Sequence, residues 1–464
     1  MSVSLFGVWK RTLRRDPGAV AVVDGLKGTA WTRAALAESA SGWAAEFSGA
    51  TGASSIRGRR VAMAVPNGPS WFQAFLGLLS LEAVPAPVEP AEPMEAQAAA
   101  ARSIGAAWLW RPEGLLAVAA GGPRRRPSAG EALIKMTSGS SGSPRGLPVT
   151  HAQMIADGRN ICATMGIRPA DRNLAVIPLG YSYGLGNLVI PLIANGVQVI
   201  CASSVLPYAL AEDVRRFRPT VFPTVPPILE ALVSSQVPRE GLAGVRLVIS
   251  AGSPLVPDVA RAFEAKFGLK VHGFYGTSET GGIAYDSSGE ATLEGRSVGR
   301  PLKGVRLTLR AGGRFLVFSA AVSGRGRFSP ADRALLNKRG ELVLQGRTDR
   351  VVKVGGRRFD LAEVEASLRA IPGVRDAFTA VVGPSPGSLC AAVATDLATA
   401  EIRRFLRARL ASWKIPGRLI PLPAFPRTER GKTDSGALRQ LFIAPRTETS
   451  ISTLRAARQI SEQR

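Results

Sequence analysis

The run Thr137-Ser138-Gly139-Ser140-Ser141-Gly142-Ser143-Pro144-Arg145-Gly146 packs hydroxyls, glycines and a guanidinium into ten residues. It follows the apolar stretch Ala132–Met136 and precedes Thr150, a good helix cap. A loop of this kind between a strand and a helix can turn backbone N–H groups and hydroxyls toward a phosphate, with Arg145 adding positive charge. The same composition also describes a flexible linker. It is not a Walker loop, because GxxxxGK[ST] is absent. The later Gly431-Lys432-Thr433 fails that pattern too, with Pro426 where the first glycine belongs.

The elements that must position this run can be read around it. From residue 132 to about 285, β-branched apolar stretches (174–178, 197–201, 221–222, 245–249) alternate with helical patterns (151–165, 208–217, 227–233, 256–267). Such alternation predicts a largely parallel, doubly wound sheet, whose ligands bind at the carboxyl ends of the strands. The N-terminal third reads similarly, with a strand at 60–66 and an apolar helix at 71–83. Short β-like stretches and turn signals fill 296–346, and a second αβ pattern covers roughly 350–442. The expected fold is therefore α/β: a large N-terminal domain of doubly wound mixed sheets with a β-rich subdomain, then a small mobile α+β domain. The boundaries expected are 1–348, 349–442 and a polar tail at 443–464.

Bulk properties bound the function. With 464 residues, two or more domains are the prior, and 45% hydrophobic against 20% charged residues is a globular balance. No apolar run is long enough to span a bilayer, and the N-terminus lacks the unbroken apolar stretch of a signal peptide. Cys162, Cys201 and Cys390 are widely separated and read as small buried hydrophobes in a reducing compartment, so a cytoplasmic location is expected. The formal charge of +24 predicts attraction to nucleic acid, an anionic membrane or an acidic protein. The basic residues are spread along the chain, not gathered into one arm, which weakens the nucleic-acid reading.

Five segments occur in order: TSGSSGSPRG at 137–146, VISAGSPL at 248–255, GFYGTSETGG at 273–282, the stretch 331–365 containing QGRTDRVVKVGG, and PRTERGKTD at 426–434. Together they resemble the adenylate-forming superfamily, which includes acyl- and aryl-CoA synthetases, peptide-synthetase adenylation domains and luciferases. The resemblance spans about residues 15–442 and implies ATP, Mg²⁺ and a carboxylic acid as reactants. It implies that residues Thr137 to Gly142 (Ser138, Gly139, Ser140 and Ser141 among them) hold the β- and γ-phosphates, with Arg145 in place of the usual lysine. Gly252, Ser253 and Pro254 would lie along adenine, and Tyr275 would stack on it. Gly276, Thr277 and Ser278 complete that motif, and Glu279 would coordinate Mg²⁺. Asp332 would accept from the ribose hydroxyls, although the Thr-Gly that usually precedes this aspartate is missing. Arg347 would reach the nucleotide and Asp349 would be the hinge. Lys432 would bridge the carboxylate and α-phosphate as adenylate forms. Gly355 and Gly356 would line the passage of a pantetheine arm.

The segment 177–186 matches the acid-pocket motif, with Tyr181 where many relatives have His. Tyr181, Tyr183, Gly273 and Phe274 are the expected pocket walls. No acidic residue occurs between 172 and 211, so no local partner exists for a substrate ammonium, which disfavours amino acids and leaves fatty or aryl acids. Coenzyme A is the default acceptor. The phosphopantetheine of an acidic acyl carrier protein is its competitor, because the chain is so basic. Two other classes stay open: a catalytically weak relative serving as a binding or scaffold protein, and a basic nucleic-acid-binding protein.

Overall fold

The computed structural model describes residues 3–52, 56–118, 130–138, 144–324, 326–347, 351–354, 357–382, 388–410, 414–428 and 433–443. The chain forms two compact units, Met1–Gln345 and Gly346–Arg464.

In the larger unit, five buried apolar strands and one at the margin build a parallel sheet. Val20–Asp24, Gln198–Cys201, Arg172–Ala175, Val221–Thr224, Leu247–Ser250 and Val271–Thr277 lie side by side in that order. Val221–Thr224 and Leu247–Ser250 are buried at every position, as strands covered by helices on both faces must be. Antiparallel strands Thr29–Thr32 at one margin, and Gly281–Tyr285 then Arg300–Pro301 at the other, make the nine-stranded sheet mixed. A second sheet orders Val84–Pro87, Arg60–Met63, Trp108–Arg111 and Gly114–Ala117. The helix Pro69–Ser80 is apolar on nearly every side and correspondingly buried, with Trp71 stacked on Phe75 at 4.8 Å between ring centroids. Short antiparallel strands, Arg306–Leu309, Phe315–Phe318 and Arg327–Phe328, form the β-rich part.

Helix His151–Met165 starts and stops where its caps dictate. Thr150 and Gln153 form a reciprocal capping box, and Gly166 closes the helix in the left-handed region, at φ 65°.

The structure corrects one local expectation. The hydroxyl-rich run does not link a strand to a helix. Glu131–Ser138 and Pro144–Thr150 are antiparallel partners, with Thr137 opposite Arg145 and Ser138 opposite Pro144. Arg145 therefore stands on the return strand of a hairpin, and the helix begins only at His151. Strand 174–178 also shifts, to Arg172–Ala175, because the chain leaves the sheet before Pro178.

In the smaller unit, Val374–Val382 pairs antiparallel with Ser388–Thr395, which pairs parallel with Arg418–Leu422. The antiparallel pair Val351–Val354 and Arg357–Asp360 and the helices Leu361–Arg369, Thr399–Arg407 and Ser435–Ile443 belong to the same unit. Its core gathers Val364, Leu368, Ile402, Leu406, Ala391 and Val393.

Candidate active site

The segment 251–254 leaves the carboxyl end of Leu247–Ser250, where a doubly wound sheet opens to ligands. Gly252 turns at φ +88°, a conformation that costs a side chain strain, and the Ala251 N–H donates to the Thr224 carbonyl at 3.3 Å.

One strand further along, the Tyr275–Glu279 stretch is the tip of an antiparallel hairpin, Val271–Thr277 with Gly281–Tyr285. Its turn is tightly held. The Thr277 N–H donates to the Thr280 hydroxyl at 3.3 Å, and the Ser278 hydroxyl accepts from the Ser182 hydroxyl at 2.9 Å. The Glu279 carbonyl accepts from both the N–H and the hydroxyl of Ser323, at 2.8 and 2.7 Å. A Cβ on Gly281 would lie 2.2 Å from Asp157 Oδ1, and φ there is +67°, so only glycine fits. Asp157 uses that proximity to accept from the Gly282 N–H at 2.9 Å. Backbone fixation at both ends of the turn presents the half-buried Glu279 in a fixed place.

Tyr275 and Asp332, distant in sequence, meet here: the tyrosine hydroxyl donates to Asp332 Oδ2 at 2.8 Å. Asp332 starts the strand Asp332–Leu336 and is half-buried, as is Tyr275. An aromatic face and a carboxylate joined in this way suit a base and its sugar. Thr137 spends its hydroxyl on the Arg145 carbonyl at 3.2 Å, and the Arg145 residue is exposed. Arg347 is the last residue of the strand Leu342–Arg347.

The expected pocket walls come together in part. Tyr183 and Phe274 pack together, tilted by 43° at 5.8 Å between ring centroids, and the Tyr183 hydroxyl donates to the Ile249 carbonyl at 2.9 Å. Burial pushes that phenol far above its usual range, so Tyr183 is a neutral wall. Gly273 carries its N–H to the Thr292 hydroxyl at 2.9 Å, and a Cβ there would lie 2.8 Å from the same oxygen. Tyr181 points its hydroxyl at the Glu89 carboxylate. Segment 172–211 itself lacks an acid, and the fold brings Glu89 to Tyr181 from outside it. Asn67 ties that region together, donating to the Ile177 carbonyl at 2.8 Å and accepting from the Leu179 N–H at 3.0 Å.

Gly139, Ser140, Ser141, Gly142, Asp349, Gly355, Gly356 and Lys432 lie outside the described residues. The residues on either side of 429–432 are described. Arg427 bridges Thr433, and the Asp434 N–H donates to the Pro426 carbonyl at 2.8 Å. Asp434 then caps the final helix, accepting from the Ala437 N–H at 2.9 Å.

Sequence reasoning passed over Lys135, Asp157, Ser182 and Glu89. Lys135 had a visible signal, a lone cation inside the apolar stretch Ala-Leu-Ile-Lys-Met. The others become legible only when the fold joins distant segments. Among the described residues no cluster of three or more metal-ligating side chains occurs. Glu279 would offer a carboxylate oxygen to a cation bound at this hairpin tip. That donor fits a hard cation such as Mg²⁺.

The chain matches the model of the AMP-binding enzyme family over residues 113–313 and that of the AMP-binding enzyme C-terminal domain over 363–432, more than half its length together. It is 30% identical over 275 residues to a benzoate–CoA ligase of Thauera aromatica, covering 53% of this chain and 52% of that protein. It is 26% identical over 360 residues to a dimodular nonribosomal peptide synthase of Bacillus subtilis, covering 69% of this chain and 15% of that one. The chain thus spans about half the length, or less, of these curated relatives. The crystal structure of ATP-bound MatB from Rhodopseudomonas palustris shares the fold, with a TM-score of 0.79 at 22% identity over 95% of this chain and 99% of that one. With both family models matched in chain order on a shared fold, and with Tyr275, Glu279 and Asp332 gathered at the sheet margin, this chain belongs to the adenylate-forming superfamily.

Proposed function

We propose that the protein is an AMP-forming acid–thiol ligase. A carboxylate oxygen attacks the α-phosphorus of ATP, pyrophosphate leaves, and an acyl-adenylate forms. A thiol sulfur then attacks the acyl carbon, its proton passes to solvent, and AMP leaves. Adenylation is needed because a carboxylate's own leaving group would be oxide. Bringing two anions together requires fixed cations and dipoles. The observation that carries this reading is the meeting of three segments at one hairpin tip: Tyr275 bonded to Asp332, and Ser278 contacted from Ser182 and from Lys135.

In this reading Tyr275 and the 251–254 turn hold adenine, Asp332 takes the ribose, and Thr137, Ser138 and the turn that follows take the outer phosphates. Arg145 supplies charge there. Arg347 and Lys432 steady the α-phosphate and carboxylate. Bound Mg²⁺ would offset phosphate charge, with Glu279 as its carboxylate ligand. The smaller unit acts as a mobile lid hinged at Asp349, so that Gly355 and Gly356 replace Lys432 at the site for the second half-reaction.

The acid is aryl or fatty. The aromatic walls Tyr183 and Phe274 favour an apolar substrate, and the relative named as a benzoate–CoA ligase agrees in chemistry. The acceptor is coenzyme A, with a carrier-protein phosphopantetheine as its rival, on the ground of the +24 charge and the peptide-synthase relative. Cys162, Cys201 and Cys390 are buried and unpaired, which agrees with a reducing cytoplasm. Among the described residues no helix is long and apolar enough to cross a membrane. ATP–pyrophosphate exchange with a panel of aryl and fatty acids tests the reading. Acid-dependent exchange supports it. No exchange with any acid, beside ATP-independent binding of RNA, contradicts it.

A further inference from the structure

Lys135 sits on the strand Glu131–Ser138, two residues before Thr137, and is only 3% exposed. An ammonium has three donors. Among the described residues its hydrogen bond is one long contact, 3.5 Å to the Ser278 carbonyl. A buried cation with spare donors is costly unless charge of the opposite sign is near. Asp157 and Glu279 provide some of it: burial pushes the lysine's pKa down, while these two carboxylates pull it back up. Asp157 is itself committed to the Gly282 N–H at 2.9 Å. Strand alternation puts Lys135 on the same face as Thr137, the first residue of the hydroxyl-rich run. The carbonyl that Lys135 touches belongs to the residue preceding Glu279. The ammonium is thus built into the place where the two motifs assigned to phosphate and metal converge.

We propose that Lys135 is a nucleotide-binding residue whose spare donors engage the β- and γ-phosphate oxygens of ATP. It would work as a resident cation at the root of the turn, complementing the exposed Arg145 at its return strand. The inference rests on the ligase reading but makes its own claim: Lys135 distinguishes a triphosphate from a monophosphate.

Calorimetric titration of the full chain with a non-hydrolysable ATP analogue, and separately with AMP, tests it. Lys135→Met, close in shape and without charge, should weaken the analogue about 10- to 100-fold, the scale of one lost charged hydrogen bond. AMP affinity should stay within about twofold of the wild type, since AMP lacks both outer phosphates. Lys135→Arg should recover part of the loss. Should Lys135→Met not fold, Lys135→Gln keeps a donor for the Ser278 carbonyl and carries the same comparison. Unchanged analogue affinity, or parallel loss for analogue and AMP, overturns the inference and leaves the ligase reading standing. A wild-type protein that binds neither nucleotide removes both.

Discussion

The Tyr275 hydroxyl, 2.8 Å from Asp332 Oδ2, separates two jobs that one residue performs. The ring would stack on adenine, and the hydroxyl would orient the carboxylate proposed for ribose. Tyr275→Phe keeps the first and removes the second. We expect the KM for ATP to rise about 3- to 10-fold while kcat stays within about twofold, because the lost bond is neutral-to-charged and remote from the reacting atoms. Steady-state exchange kinetics at varied ATP check this, and a fall in kcat with unchanged KM would assign Tyr275 a different part. At this scale much was legible in advance. Tyr275 and Glu279 stand in a recognisable string, Asp332 in a partial one, and the structure joins Tyr275 to Asp332 through a bond. Lys135 and Glu89 were not legible as partners. Lys135 gains meaning only from the Ser278 carbonyl 143 residues away, and Glu89 only from Tyr181.

At the scale of elements, the parallel sheet is pinned by a buried carboxylate at its amino-terminal edge. Asp171 accepts from Arg246 Nε at 2.9 Å, the Thr220 hydroxyl at 2.8 Å and the Arg168 N–H at 2.7 Å, drawing three strand entrances together. Burial pushes its pKa up, but the bonds from Arg246, Arg168 and Thr220 outweigh burial and hold it below the usual carboxylate range. A depressed folded pKa gives stability that is complete above the ordinary value of about 4 and is lost as pH falls through the lower folded value. Asp171→Asn should therefore flatten that part of the acid limb of stability, measured by denaturant unfolding from pH 6 downward. Asp171→Ala should cost about 2 kcal/mol near neutrality, because it takes the acceptor from the Thr220 hydroxyl and the Arg168 N–H, while Arg246 keeps the Gly166 carbonyl and solvent. The helices were the most legible elements. His151–Met165 begins at its capping box and ends at Gly166, both local signals. The hairpin 131–150 was not, because glycine and serine in its turn are equally the composition of a linker, and the pairing of Thr137 with Arg145 is set by the apolar residues on either side.

For the whole molecule, 59 Lys and Arg against 35 Asp and Glu make long-range attraction a property of the surface as well as of the site. If an acidic carrier protein is the acceptor, thioester formation on it should slow severalfold between 50 and 300 mM salt while adenylation changes little, since screening acts on encounter more than on chemistry at a bound substrate. A salt-insensitive transfer, or faster transfer to free coenzyme A, would assign the acceptor to the small thiol. In the proposed reaction a carboxylic acid is adenylated with Lys432 and Glu279 acting on the transferring phosphate. The most direct test is acid-dependent ATP–pyrophosphate exchange in the wild type and in Lys432→Ala, with folding verified by circular dichroism. Exchange should require the acid and fall by about 10²-fold or more in the variant, the loss expected for a residue stabilising transition-state charge. Full exchange in a folded Lys432→Ala, or exchange indifferent to the acid, would contradict that reaction.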